Sequence, residues 1–321
     1  MRLHHIEPGR GSRYSKTMSE TVQQQLEIVL AFFREQLKTR PAFNYGKGLI
    51  STPEFFSVAT LQEHLNNPLL SPGWIFLKAR GQRVPLDDYY QYKQVHRQPL
   101  GFLDKEIVNQ ELRNGAALVL EGIDILDPTL NNFATQLDES LPCAMVNSVA
   151  FFSQRGTEAY QGHVDQDDVL VIQISGKKDW QVFTPQQRRY ANVDMLSKEQ
   201  MGKKIKDLTM HPGDVLYVRA GVPHVCTTTG DHSLHLAFDI IDITPNPKQV
   251  TEEANKRYEH DAEDCYVPAN QAMEKYIKLV QSDRFKEDVE RATFSTKESA
   301  RQFRRSIGRA TGVDALTKYI N

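Results

Sequence analysis

Cysteine is scarce. The chain has three, Cys143, Cys226 and Cys265, among 321 residues, widely spaced and odd in number. They form no CxxC pair, which excludes a disulfide framework and makes a reducing, cytoplasmic setting the expectation. Long apolar runs are missing too. None approaches the roughly 18 residues that a membrane-spanning helix needs, so no membrane partner is expected. Neither sign of charge dominates: 39 Lys and Arg stand against 41 Asp and Glu, a net charge of −2. That balance argues against a generic polyanion binder. Repeats and low-complexity tracts are also lacking. What remains is a globular composition, 40% hydrophobic and 25% charged, in a length for one large or two ordinary domains.

Residues 1–17 are polar and basic, with no apolar stretch to act as a signal peptide. They read as an appended tag or a disordered leader, with Met18 as the natural start. Residues 20–38 carry Val22, Leu26, Val29, Leu30, Phe33 and Leu37 at three- and four-residue spacing, an amphipathic helix stopped by Pro41. Residues 58–66 and 104–114 are shorter helical candidates; Asp104 can cap the second and Gly115 can close it.

From residue 116 the period shortens. Ala117–Leu120, Asn147–Ser153 and Asp168–Ser175 read as strands. Trp180–Phe183 reads as the return strand of a hairpin turning near Gly176 and Lys177, and Asp214–Val218 and Leu234–Ile241 complete the set. No helices alternate with these strands, which points to an antiparallel sandwich or barrel. After Pro245 and Pro247 the chain turns helical again, over 251–260, 269–282 and 296–308. The expected layout is 18–115 for N-terminal helices and lead-in strands, 116–244 for a catalytic barrel, and 245–321 for a C-terminal helical region.

His163-Val164-Asp165 carries the chemistry. On a strand, residues i and i+2 face the same way, so an imidazole and a carboxylate aim at one point. A second histidine from a neighbouring strand, His224 of Gly221-Val222-Pro223-His224, completes a face of two histidines and one carboxylate. That ligand set is typical of non-haem Fe(II) oxygenases and leaves the opposite positions open. Asp167 and Asp168 point opposite ways and cannot both serve one metal; Asp168 reads as fixing a turn or making a supporting contact behind the ligands. The cysteines read as structural.

The stretch GHVDQDDVLVIQISGKKDWQVF (162–183) resembles the core signature of JmjC-type, cupin-fold oxygenases, in the subgroup that contains the ribosomal oxygenases. HPGDVLYVRAGVPH (211–224) is similar to the second metal motif of cupin barrels, with Arg219 where proline is usual. GWIFLKARGQRVP (73–85), Gly115–Leu120 and Ser233–Leu236 match as well, so the resemblance covers roughly 50–242. It implies a mainly β fold, a double-stranded β-helix or jelly-roll barrel flanked by helices, holding Fe(II) and using 2-oxoglutarate and O₂. His163, Asp165 and His224 are then the metal ligands.

The resemblance also implies cosubstrate contacts. Lys178, fifteen residues beyond His163, matches the cation for the distal carboxylate. It shares strand parity with Trp180 and Val182, and a buried lysine needs an anionic partner. The relatives' asparagine on the strand before the HxD falls at Val149, a departure; Ser153 and, two residues from Val149, Asn147 are the substitutes. Tyr160, Gln173 and His235 are further barrel candidates, for the pocket or for supporting hydrogen bonds.

The implied activity is hydroxylation of a protein or peptide side chain, ribosomal proteins included. Nucleic acid is expected only by way of such a substrate. About 80 residues follow the barrel, short for the helical dimerisation module plus winged-helix domain of ribosomal oxygenases, so a free amino acid or biosynthetic intermediate stays open as substrate. A metal cupin using no oxoacid, or a non-catalytic barrel, is the competing reading. Segment 284–309 holds eight Lys and Arg against four Asp and Glu, a solvated face or an interaction surface. Met273, Ile277 and Val280, with Tyr276 and Leu279 beside them, make an apolar stripe for a homodimer, or for packing on the chain's own barrel.

Overall fold

The computed structural model describes residues 19–67, 70, 72–79, 81–141, 144–154, 156, 162–185, 194–243, 250, 269–291 and 297–298. Thirteen strands are described: β1 (Phe43–Gly46), β2 (Ile75–Ala79), β3 (Gln82–Arg83), β4 (Tyr90–Val95), β5 (Gln98–Leu103), β6 (Ala117–Glu121), β7 (Ala144–Gln154), β8 (His163–Val164), β9 (Asp168–Phe183), β10 (Asp194–Met195), β11 (Lys204–Met210), β12 (Val215–Val218) and β13 (His224–Asp242). All pairings among them are antiparallel. The main sheet runs β1-β12-β9-β13-β7-β6-β2-β3; β10 and β11 attach at its side through β8 and β9, and β4-β5 is a separate hairpin.

Two long strands turn this sheet into the double-stranded β-helix. The first half of β9 pairs with β12 and its second half with β11. β13 begins against β8 and the end of β9, then finishes between β7 and the start of β9. Each strand therefore belongs to both faces of the barrel. The expected hairpin at Gly176 does not form, since β9 runs unbroken through it. Gly176 instead takes φ +69°, and an added Cβ would lie 1.8 Å from the His232 carbonyl oxygen. Only glycine bends the strand there while letting β13 pass so close.

Strand parity then sorts the side chains. Leu170, Ile172 and Ile174 of β9 and Leu234, Leu236 and Phe238 of β13 join the large core outside the barrel. That core is closed by the helices α1 (Glu20–Thr39), α2 (Thr52–Phe55), α3 (Val58–Leu65), α4 (Leu86–Tyr89), α5 (Lys105–Arg113), α6 (Ile123–Leu126) and α7 (Pro128–Glu139). The intervening residues Val169, Val171 and Ala237 face a smaller core within the barrel. Period-two alternation thus gives each strand one face for helices and one for the interior.

The helices follow from local signals. In α1, Leu26, Val29, Leu30 and Phe33 are buried, as their spacing predicts. Asp104 caps α5 through the Glu106 and Ile107 amides, and Gly115 follows in the left-handed region. Periodicity did not reveal α7, although Asp127 caps it with Pro128 at its first position. After the barrel, α8 (Ala269–Gln281) matches the expected helix, and residues 283–291 are helical too. Lys297 is buried, and its ammonium donates to the Asp138 carbonyl of α7 at 3.1 Å. The expected helix 251–260 lies outside the described residues, as does 296–308 apart from residues 297–298.

Candidate metal centre

The barrel-facing side chains enclose a cavity of about 270 Å³. His163, Asp165 and His224 meet in its wall, with one ligand atom from each lying within 4.8 Å of the others. β8 contains only His163 and Val164, so Asp165 sits just past the strand rather than on it. Its place is held by the backbone: the Gly221 amide donates to the Asp165 carbonyl at 2.9 Å. The turn before His224 is thereby stitched to the HxD segment.

The two histidines are direct partners between β8 and β13. His224 Nδ1 is 3.1 Å from the Val222 carbonyl, which places the proton on Nδ1 and leaves the Nε2 lone pair for a ligand bond. Nε2 of His224 lies 3.5 Å from one Asp165 oxygen, and Nε2 of His163 lies 3.7 Å from the other. Both gaps are longer than a good hydrogen bond. The Trp180 ring stacks on His224 at 5.4 Å between centroids and fixes its plane.

Asp168 acts as the sequence suggests. Its carboxylate accepts from Arg40, from Tyr217 Oη at 3.0 Å and from the Ala220 amide at 2.9 Å. It anchors the turn that delivers His224. Burial next to this carboxylate pushes the Tyr217 hydroxyl well above its ordinary range.

Farther along the β9–β13 ladder stands Lys178, opposite Thr228. It is 1% exposed, and its ammonium donates to Ser153 Oγ and Thr228 Oγ1, each at 3.1 Å. His235 also lines the cavity, held between Phe151 and Trp180. Burial, with the nearby Lys178 charge, keeps its imidazole neutral. At the other side of the cavity Asp239 faces Asn147 across β13 and β7. Burial first, then the Asp165, Asp167 and Glu121 charges, push its carboxyl up to about 7, against the bond from Asn147. Lys78 is lowered to about 8 by burial and by Arg83, with Asp165 pulling the other way.

Every chosen site residue, His163, Asp165, His224, Lys178, Ser153 and Asn147, borders this one cavity. Gln173 does not border it. It is fully buried and donates to the Ser175 carbonyl and Ser233 Oγ, a structural strut. Tyr160, Cys143 and Cys265 lie outside the described residues. Cys226 borders the cavity as well as packing in the inner core. Asp239 and Thr228 escaped the sequence reading. Parity with His235 would have found the first, and parity with His224 the second.

The residues fit a metal and an oxoacid. Two imidazoles and one carboxylate suit a divalent first-row ion with positions left open. Trp180 Nε1 and His235 Nδ1 are buried in the cavity wall with no partner among the described residues, and Lys178 adds a buried cation. Such a wall is built for a polar, anionic guest.

Residues 125–246 match the family model of the JmjC domain. Curated relatives include the bifunctional lysine-specific demethylase and histidyl-hydroxylase NO66 of Dictyostelium discoideum, 22% identical over 187 residues, or 57% of this chain and 35% of that protein. Ribosomal oxygenase 1 of Gallus gallus is 24% identical over 197 residues, 60% of this chain and 30% of that protein. The chain spans about a third of the length of these relatives. Among solved structures, that of YcfD from E. coli superposes with a TM-score of 0.53 at 15% identity, covering 79% of this chain and 69% of that one. The complex of YcfD, a ribosomal oxygenase, with cobalt and 2-oxoglutarate matches at 0.53 and 14%, covering 80% and 69%. At such identity the likeness establishes the fold.

Proposed function

We propose, for a chain whose residues 125–246 match the JmjC family model and whose curated relatives include a ribosomal oxygenase and a histidyl-hydroxylase, that it is an Fe(II)- and 2-oxoglutarate-dependent hydroxylase acting on a protein side chain, with ribosomal proteins as the substrate class. One observation carries this reading: two histidines and a carboxylate converge in the same cavity that buries a lysine ammonium. A metal cupin without an oxoacid has no use for that buried cation.

His163, Asp165 and His224 would hold the iron. When bound, iron, oxoacid and O₂ together supply the oxidising power that turns an unactivated C–H into C–OH, while the oxoacid leaves as succinate and CO₂. The chain's own residues do the positioning. The Val222 carbonyl fixes the His224 tautomer, and Trp180 fixes its ring plane. Lys178 neutralises the carboxylate remote from the metal, and Ser153 donates to it. His235, held neutral, offers a hydrogen-bonding nitrogen without adding charge. Asn147 restrains Asp239 at the side of the cavity.

The reading extends to the whole chain. Residues 18–115 brace the barrel, 116–244 carry the chemistry, and 245–321 serve self-association as a homodimer in the cytoplasm. The decisive experiment supplies Fe(II) and 2-oxoglutarate in air, with and without ribosomal protein. Succinate formation, together with a mass gain of one oxygen on the substrate, is expected. Succinate no greater than in a chelator control rules the reading out.

A further inference from the structure

Thr228 has no place in the signature that identifies the cavity, yet it touches the most unusual group there. It is 1% exposed on β13, directly opposite Lys178 of β9. Its hydroxyl lies 3.1 Å from Lys178 Nζ and 2.7 Å from Ser153 Oγ, and Ser153 Oγ is itself 3.1 Å from the same nitrogen. Three polar atoms from β7, β9 and β13 thus close a triangle of buried side chains. Its corner is pinned by the backbone, since the Thr228 carbonyl accepts from the Gly156 amide at 2.8 Å.

Hydrogen counting gives the triangle a direction. An ammonium only donates, so both hydroxyl oxygens accept from Lys178. Each hydroxyl has a single hydrogen, and only one can lie on the line between the two oxygens. The other must be spent elsewhere. Ser153 and Lys178 border the cavity, whereas Thr228 stands behind them. The economical arrangement has Thr228 donating to Ser153, and Ser153 donating into the cavity.

We infer that Thr228 is a positioning residue for the oxoacid: it accepts from Lys178, donates to Ser153, and so aims an ammonium and a hydroxyl hydrogen together at the carboxylate remote from the metal. The inference rests on the functional reading above and adds to it a residue and a polarity. Thr228 need not touch the oxoacid. Its effect passes through the two groups that do.

The test is calorimetry on the full chain loaded with Mn(II) under anaerobic conditions. The titrants are 2-oxoglutarate and 2-oxobutyrate, which keeps the keto acid end but lacks the second carboxylate. Thr228→Val preserves shape and removes the hydroxyl; Thr228→Ser preserves the hydroxyl. Thr228→Val should weaken 2-oxoglutarate about tenfold to a hundredfold, the scale of lost hydrogen bonds around a charge, and shift 2-oxobutyrate by less than about twofold. Thr228→Ser should bind both like the parent. In turnover the loss should fall on KM for 2-oxoglutarate and spare kcat. Unchanged 2-oxoglutarate affinity in Thr228→Val overturns the inference. Equal weakening of both oxoacids also overturns it, because that pattern marks a general structural defect. If the parent chain binds neither oxoacid, the functional reading falls and takes the inference with it. Should Thr228→Val fail to fold, Thr228→Ala carries the same test: a selective loss of 2-oxoglutarate supports the inference, and undiminished affinity overturns it.

Discussion

His163 and His224 are cross-strand partners with ring centroids 4.3 Å apart, although 61 residues separate them in the chain. Asp165 lies within reach of both, and a three-ligand site has no spare. Replacing any one of the three with alanine should abolish Fe(II)-dependent turnover while circular dichroism shows an intact barrel. Full activity in Asp165→Ala would remove it from the ligand set.

Lys178 is the buried cation of the cavity. Lys178→Ala should raise the 2-oxoglutarate concentration needed for half-maximal turnover by roughly tenfold to a thousandfold, reflecting a charge-assisted bond plus lost desolvation complementarity. An unaltered 2-oxoglutarate dependence would assign the ammonium a purely structural role.

Asp239 gives the metal-free protein a pH signature. Its carboxyl is raised from 3.8 to about 7, so between those values the folded state binds the extra proton. Its contribution is fully present below about pH 4 and is lost as pH rises through about 7. In chelator-treated protein, Asp239→Asn should therefore be more stable than the parent at pH 8, by on the order of 1–4 kcal/mol. The difference should vanish near pH 4. Parallel denaturation midpoints for the two proteins across that range would refute the assignment.

Gly176 lets β9 pass from one face of the barrel to the other. Gly176→Ala combines a left-handed backbone with a Cβ driven against the His232 carbonyl. A loss of at least about 2–4 kcal/mol is expected, visible as a lower thermal midpoint. A midpoint equal to the parent's would show that the strand bends elsewhere.

On α8, Met273 and Ile277 are 60% and 45% exposed, one turn apart on the same face. Light scattering at micromolar concentration should give the mass of two chains, falling to one in Ile277→Glu, because an isologous interface places the new charge against its own copy. A parent chain that is already monomeric would assign this face to something other than self-association.

Much of this architecture was legible along the chain. Apolar, β-branched runs bounded by Gly, Pro and Asp mark the strands at 168–175 and 234–241, and three- and four-residue spacing marks α1. HxD followed by Gly-bounded strands and a distal histidine announces the ligand types. These signals are local: each depends on neighbours within a few residues, where strand or helix geometry alone decides which way a side chain points.

Other features were decided in three dimensions. Nothing near Gly176 distinguishes a hairpin turn from a bend in one long strand; the passage of β13 at His232 decides it. Asp239 meets Asn147, and Thr228 meets both Lys178 and Ser153, through a register fixed by three strands distant in sequence. The sequence by itself determined which residues have the chemistry to hold a metal and an anion. Only the tertiary structure decided which of them share one cavity, because cross-strand register is set by packing the whole barrel and not by any stretch of it.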